Sequence, residues 1–371
     1  MKFQEHHRKV YAMDHDNIRE IRIDPIVPTQ SVLISTARGK RPRQDESPLP
    51  RDVREHVEAC PFCPGNEHLT PPSIFQIPAT QKWDIRIIEN LYPILDDAPL
   101  SPGISHGIQQ AIEGYGHHEV IIDHTNHGIA LHQMSEKHLS LIFAVYRDRM
   151  LSLYNSDPRI RYILVFKNSG KAAGASISHT HSQLIAMPIV PHNVQDEVQG
   201  SLVFYQKNGT CIFCTLIDEA MSLETTTYDR ISGKVRQSYE TGKYVVERGK
   251  QFIAIKPFAS RYEWEVHILP IKHQSNFLKV TGEELDDLAW TLRRTMARLK
   301  TVAGEVQYNY FLHTEPHIKN SSDCAQSFHW HLEICPRTSI PSGFELGSGL
   351  FVNTINPEEA ASKLRQAIMQ D

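Results

Sequence analysis

Two rhythms of apolar and polar positions run along this chain, and they recur in the same order in each half. In the first half an apolar run at Glu119-Val120-Ile121-Ile122 leads to His127. A helical stripe of Leu139, Ile142, Val145, Tyr146 and Met150 follows, from Ser135 to about Tyr154. A strand candidate covers 161–168, and His179-Thr180-His181 comes next. In the second half Glu265-Val266-His267-Ile268-Leu269 leads to His273. Thr281 and Glu284 then form a capping box ahead of Leu285, Leu288, Leu292 and Leu299. A strand candidate at 306–314 and His329-Trp330-His331 complete the series. Glu119 lies eight residues before His127, as Glu265 does before His273, and Ser135 and Thr281 each lie eight residues further on.

A duplication of this kind predicts an α+β fold of two units, each a mainly antiparallel sheet with one long helix. Pro188, Pro191 and a polar run interrupt the pattern between Pro191 and Gly209. The expected domains are therefore 1–195, the catalytic one, and 196–371. The Arg- and Pro-rich segment 38–54 reads as an irregular surface loop.

Composition narrows the function. The chain has 371 residues, is 40% hydrophobic and carries a formal net charge of -4, so a nucleic-acid partner is not expected. No run of about 18 apolar residues occurs, and 1–12 is polar without an apolar leader core. A cytoplasmic protein with no membrane partner is expected. Histidine is abundant, at 21 residues. The six cysteines include the pairs Cys60-Pro61-Phe62-Cys63 and Cys211-Ile212-Phe213-Cys214, which in such a protein read as metal ligands or redox dithiols before disulfides. Cys324 and Cys335 read as a loop thiol and a buried strand thiol.

The string Ser178-His179-Thr180-His181-Ser182-Gln183 carries most of the chemistry. Side chains alternate faces in an extended strand, so His179, His181 and Gln183 point one way and Ser178, Thr180 and Ser182 the other. The string is entered through Asn168-Ser169-Gly170-Lys171-Ala172-Ala173-Gly174-Ala175-Ser176, small residues that let backbone N–H groups approach a phosphoryl group. A neutral imidazole beside an amide donor there suits nucleophilic attack on phosphorus. An isolated strand histidine is more often a hydrogen-bonded core residue. Asn168, Gly170, Gly174, Ser176 and Gln183 around His181 turn the reading toward catalysis.

Structural zinc takes four N or S ligands, often a C-x-x-C knuckle plus two histidines. Cys60, Cys63, His127 and His179 make one such set; Cys211, Cys214, His273 and His329 make another. Two Zn2+ sites per chain are expected. Four protein ligands leave no open position for water, so the role is structural and His181 stays free, aimed by its neighbour.

These motifs resemble those of the galactose-1-phosphate uridylyltransferase family, the duplicated branch of the histidine-triad superfamily. The resemblance also rests on Ser35-Thr36-Ala37-Arg38-Gly39-Lys40-Arg41-Pro42, Ile88-Glu89-Asn90-Leu91-Tyr92-Pro93, Pro257-Phe258-Ala259 and Gly343-Phe344-Glu345-Leu346-Gly347-Ser348-Gly349. It implies duplicated histidine-triad-like domains and a nucleotidylyltransferase. That enzyme moves a nucleoside monophosphate from a nucleotide sugar to a sugar 1-phosphate or phosphate, by a ping-pong cycle through a nucleotidyl-histidine. His181 would be the nucleophile and Gln183 its phosphoryl contact. Arg38, Arg41, Asn90, Asn168 and Ser176 would bind phosphate and nucleotide, Phe344 and Glu345 the sugar. A homodimer is implied as well.

Where the galactose enzymes usually read His-Pro-His, this chain has His179-Thr180-His181. That string, the 88–93 motif and the 343–347 stretch look more like the ADP-glucose phosphorylase branch, which also carries a second zinc set. AMP and inorganic phosphate then replace UMP and a sugar phosphate. A dinucleoside polyphosphate phosphorylase would use the same imidazole. A zinc-ribbon binding protein would explain the knuckles alone, but it calls for a basic face that the acidic balance disfavours.

Overall fold

The computed structural model describes residues 18–40, 51–80, 82–98, 103–228, 235–240, 242–317 and 322–368. Arg41 and most of the 38–54 loop fall outside them.

The first half contains strands β1 (Arg19–Ile23), β2 (Ser31–Ser35), β3 (Ser73–Ile77), β4 (Ile85–Glu89), β5 (Ile104–His106), β6 (Gln109–Ala111) and β7 (His117–Ile122). Helix α1 (Glu136–Ser156), β8 (Tyr162–Ser169) and β9 (His181–Met187) complete it, and α2 (His192–Asn208) and α3 (Ile212–Met221) follow. The second half has β10 (Leu223–Tyr228), β11 (Val235–Glu240), β12 (Val245–Arg248), β13 (Phe252–Ile255), β14 (Val266–Pro270), α4 (Gly282–Ala303) and β15 (Tyr308–His313). Helix α5 (Ser322–Ser327), β16 (His331–Pro336), α6 (Gly343–Ser348), β17 (Phe351–Asn353) and α7 (Pro357–Gln366) close the chain.

The main sheet has ten strands in the order β12-β13-β14-β16-β15-β8-β9-β7-β4-β3, and every neighbouring pair is antiparallel. Read outward from the centre, β8-β9-β7-β4-β3 and β15-β16-β14-β13-β12 repeat one arrangement. This is the α+β, duplicated histidine-triad-like fold expected of the sequence. The two sheets are fused rather than separate: β8 and β15 pair directly, with Asn168 opposite Asn309 and Phe166 opposite Phe311.

Each long helix starts where its cap predicts. Ser135 accepts from the His138 N–H ahead of α1, and Thr281 and Glu284 exchange both capping-box bonds ahead of α4. Their apolar stripes cover one face of the sheet in a single core with Ile163, Val165, Leu184, Ala186, Leu312 and Leu332. Full burial of such a side chain stabilises by about 1.5–3 kcal/mol. The opposite face is only half-covered at Leu164, Phe166, Asn168, Gln183 and Phe311. A cleft-facing surface is left there.

The interruption at Pro191–Gly209 forms the helix α2, ended by Gly209 at φ 70°. Gly200 lets α2 lie against the backbone of Ile26; a Cβ there would stand 1.8 Å from the Ile26 oxygen. Cys324 sits in α5 rather than in a loop, and Cys335 is buried in β16. Among the described residues no helix is long and apolar enough to cross a membrane.

Candidate active site

Strand β9 begins at His181, next to the metal-type cluster that holds His179, and the alternation of the string sets its two faces. Thr180 and Ser182 turn to the helix side. There Lys167 Nζ donates to Asp123 Oδ2 (2.6 Å), Thr180 Oγ1 (2.8 Å) and the His181 carbonyl (3.0 Å). Ser182 Oγ donates to Asp123 Oδ2 at 2.8 Å, and the Tyr146 and Tyr310 hydroxyls meet 2.7 Å apart beside it. This buried group clamps the peptide on either side of His181 from behind.

His181 lies on the other face. Its Nδ1 is 2.7 Å from the His179 carbonyl, so Nδ1 carries the proton and Nε2 keeps its lone pair. Burial lowers the ring's basicity below that of a free imidazole, which keeps it neutral. A neutral ring with Nε2 free is the form that can attack phosphorus.

Gln183, on the same face, places its Oε1 2.8 Å from His118 Nε2. Asn90 joins this group, with Nδ2 3.1 Å from the same ring nitrogen and Oδ1 accepting from the Tyr92 N–H at 2.9 Å. Asn168 is fixed from the second half: Asn309 Nδ2 donates to its Oδ1 at 2.7 Å and to the Ala173 carbonyl at 2.8 Å. Arg337 in turn donates to Asn309 Oδ1. The loop between Asn168 and Ser176 needs its glycines, since Gly170 has φ 89° and ψ 162° and Gly174 has φ 86° and ψ 13°.

Both sets of candidate zinc ligands are assembled. Nδ1 of His127 and of His179 each lie 3.5 Å from Cys63 Sγ, and His179 Nδ1 lies 3.7 Å from Cys60 Sγ. Tetrahedral zinc with normal Zn–S and Zn–N lengths puts N and S about 3.5 Å apart, so the donors fit the ion. His179 Nε2–H donates to the His124 carbonyl at 2.7 Å, which turns Nδ1 inward, and Asp52 stands 3.5 Å from His127 Nε2. Burial pulls His179 down to about 4, again the neutral form a metal requires.

The second set repeats the plan. Cys214 Sγ is 3.4 Å from His273 Nδ1 and 3.7 Å from His329 Nδ1, and the far nitrogens of these rings face the Ala325 and Pro270 carbonyls. In each set the four donor atoms lie within 4.8 Å of one another.

Arg38, Phe344 and Glu345 form a separate group. Arg38 and Phe344 line a groove of about 570 Å³ against β1, β2 and β17, and the Glu345 carboxylate accepts from Ser342 N–H at 2.9 Å as the cap of α6. Among the described residues no hydrogen bond joins them to His181 or Gln183. Ser176 is exposed on the loop before the string.

Sequence reasoning passed over several side chains of this region. Lys167, Asp123, His118 and Asn309 have no motif, and only the strand register brings them to His181, Gln183 and Asn168. A third buried cluster able to hold a metal ion, Glu197, His313, His331 and Glu333, was likewise unmarked, although alternate histidines at 329 and 331 were a local signal.

A duplicated antiparallel sheet carrying His179-x-His181-x-Gln183 on its open face has the groups that nucleotidyl transfer through an imidazole requires. The chain belongs to the galactose-1-phosphate uridylyltransferase family and is a nucleotidyltransferase of that type. The family described as Galactose-1-phosphate uridyl transferase, N-terminal domain, matches residues 8–191. ADP-glucose phosphorylase of Arabidopsis thaliana is 32% identical over 94% of this chain and 92% of its own. Galactose-1-phosphate uridylyltransferase of Thermotoga maritima is 28% identical over 94% of this chain and 98% of its own. The crystal structure of an ADP-glucose phosphorylase from Arabidopsis thaliana with bound ADP-glucose superposes with a TM-score of 0.78. It is 29% identical and covers 95% of this chain and 100% of that one.

Proposed function

We propose that this enzyme transfers AMP from ADP-glucose to inorganic phosphate, with His181 as the nucleophile. Nε2 of His181 attacks the α-phosphorus, the bond from that phosphorus to the bridging oxygen breaks, and glucose 1-phosphate leaves with the electron pair. Phosphate then attacks the AMP-histidine from the vacated side, ADP forms, and the ring regains its lone pair. The free Nε2 on the open face of the sheet is the observation that carries this reading.

The amino groups of Gln183 and Asn168 donate to the phosphoryl oxygens as charge builds there. Asn90 and Ser176 bind the nucleotide, Arg38 and Arg41 the phosphates, and Phe344 and Glu345 the sugar. The assembly is a homodimer, as the family resemblance implies. Cys60, Cys63, His127 and His179 hold one Zn2+, and Cys211, Cys214, His273 and His329 another. The first ion, when bound, ties the start of β9 to the knuckle and so stiffens the strand that carries His181. Residues 1–195 form the catalytic half and 196–371 the supporting half of the one fused sheet. The described cysteines are unbridged, which fits a reducing cytoplasm.

AMP is favoured over UMP by the identity to ADP-glucose phosphorylase and by Thr180 between the two histidines. Incubation with ADP-glucose or UDP-glucose and no acceptor, followed by intact-protein mass measurement, tests it. The expected product is an acid-labile AMP adduct that His181→Ala abolishes. An adduct from UDP-glucose alone overturns the choice of nucleotide, and none from any nucleotide sugar overturns the mechanism.

A further inference from the structure

Gln183 is useful to a phosphoryl group in only one of its two amide orientations. With its NH2 toward the phosphoryl oxygens it donates; flipped, it presents a carbonyl oxygen to negative charge. Some neighbour must therefore choose the orientation.

His118 is placed to choose it. Strand register sets His118 and Gln183 diagonally on one face of the β7–β9 pair, since Val120 lies opposite Gln183 and His118 opposite Ile185. The backbone N–H of Ile94 donates to His118 Nδ1 at 3.2 Å. A backbone N–H cannot reverse its role, so Nδ1 is the acceptor and the single ring proton sits on Nε2. That Nε2–H is 2.8 Å from Gln183 Oε1. The imidazole is 7% exposed, and burial keeps it in the neutral form with one proton. The amide oxygen is thus held by His118 and the amino group is turned away from it.

Asn90 is ordered by the same segment. Its Oδ1 takes the Tyr92 N–H, which leaves its amino group beside His118 Nε2, where no lone pair is available to accept from it. That amino group is left to donate elsewhere. Two backbone N–H groups of the 90–94 segment thus settle three side chains, which gives the Ile88-Glu89-Asn90-Leu91-Tyr92-Pro93 motif a role beyond Asn90 itself.

We infer that His118 is a positioning residue: it fixes which end of the Gln183 carboxamide meets the transferred phosphoryl group, through a tautomer imposed by the Ile94 N–H. The inference rests on the nucleotidyl-His181 reading.

His118→Gln and His118→Glu test it, because they share a shape and differ in what they offer Gln183. The Gln variant can accept from Ile94 and donate to Gln183 Oε1, whereas the carboxylate can only accept, and draws the Gln183 amino group away from the substrate. The readout is the single-turnover rate of AMP-protein formation from saturating ADP-glucose, with zinc content and urea midpoint followed in parallel. His118→Gln is expected to stay within about tenfold of wild type, and His118→Glu to fall by about 10²-fold, the cost of one lost donor. A Gln183→Ala background separates orientation from charge. There the two variants are expected to agree within about twofold, as sites without coupling do.

Equal rates for the two variants in the Gln183 enzyme overturn the inference. So does an undiminished gap between them in the Gln183→Ala background, which assigns the effect to charge. Absence of any adduct in the wild-type enzyme overturns the underlying reading, and the inference with it.

Discussion

Lys167→Met removes the cation behind His181, the proposed nucleophile, and its cost can be worked out from the partners it leaves. Lys167 and Asp123 side chains are 3% and 0% exposed and 2.6 Å apart, so the substitution strands a buried carboxylate. Breaking a buried pair from one side costs about 3–5 kcal/mol. Asp123 keeps the Ser182 hydroxyl at 2.8 Å and the Tyr146 hydroxyl at 3.4 Å, which puts the loss toward the lower end, about 3 kcal/mol. With a urea slope of about 3 kcal/mol/M, the midpoint falls by about 1 M. The double variant Lys167→Met/Asp123→Asn has no stranded charge and is expected to recover most of that loss. Its nucleotidylation rate recovers less, because the His181 carbonyl still lacks the Nζ donor now 3.0 Å away. A shift under about 0.3 M for the single variant, or a double variant no more stable than the single one, refutes the reasoning, since neither is compatible with a buried pair.

Three further outcomes are expected. Cys63→Ser should remove about one equivalent of zinc and slow AMP-protein formation, while Cys214→Ser removes about one equivalent and leaves the first-half chemistry nearly intact, as metal analysis and single-turnover rates will show. Gly170→Ala meets a backbone region open essentially to glycine and sets its Cβ 2.4 Å from the Gln307 side chain. It should cost on the order of 1–3 kcal/mol and raise KM for ADP-glucose, and Gln307→Ala should relieve only part of this because the φ strain remains. Asn309→Asp keeps the bond from Arg337 but opposes oxygen to the Asn168 Oδ1 and the Ala173 carbonyl. AMP-protein formation should fall by about tenfold or more with zinc content unchanged, as expected when a buried donor becomes an acceptor.

What could be read before the structure was local in origin. Caps and 3.6-residue stripes are set within a few residues, so α1 and α4 begin where Ser135 and Thr281 indicate. The paired knuckles gain their meaning from the repeat, and the distances between their donors fit a tetrahedral ion. The fused sheet was not readable, because the β8–β15 pairing joins residues far apart in sequence by backbone bonds that leave no mark on composition. His118, Lys167 and Asn309 were hidden for the same reason. Each is an ordinary polar residue in an apolar strand until register sets it against Gln183, the His181 carbonyl or Asn168. The helical nature of 192–208 was obscured by prolines that precede the helix and a polar sequence with a weak stripe, in which Val194 and Ser201 are the buried positions.

The same geometry explains why the proposed nucleophile lies in one half and not the other. His331 copies the first contact of His181, with its Nδ1 3.0 Å from the carbonyl two residues back, against 2.7 Å in the first half, but its Nε2 faces carboxylate acceptors rather than open space. The surroundings then diverge. In place of Gln183 stands Glu333, with its carboxylate 3.4 Å from His331 Nε2, and Glu197 stands 3.8 Å away on the other side. His331 is 1% exposed. Anionic oxygens therefore stand beside the atom that would attack, and they repel a phosphate. The second half supports the first across β8–β15: Asn309 orients Asn168, Arg337 holds Asn309, and Gln307 meets the Ala172 N–H. Separating the halves would leave His181 on its strand but free the Asn168 amide and the glycine loop. The duplication is in this sense one active site with its own scaffold.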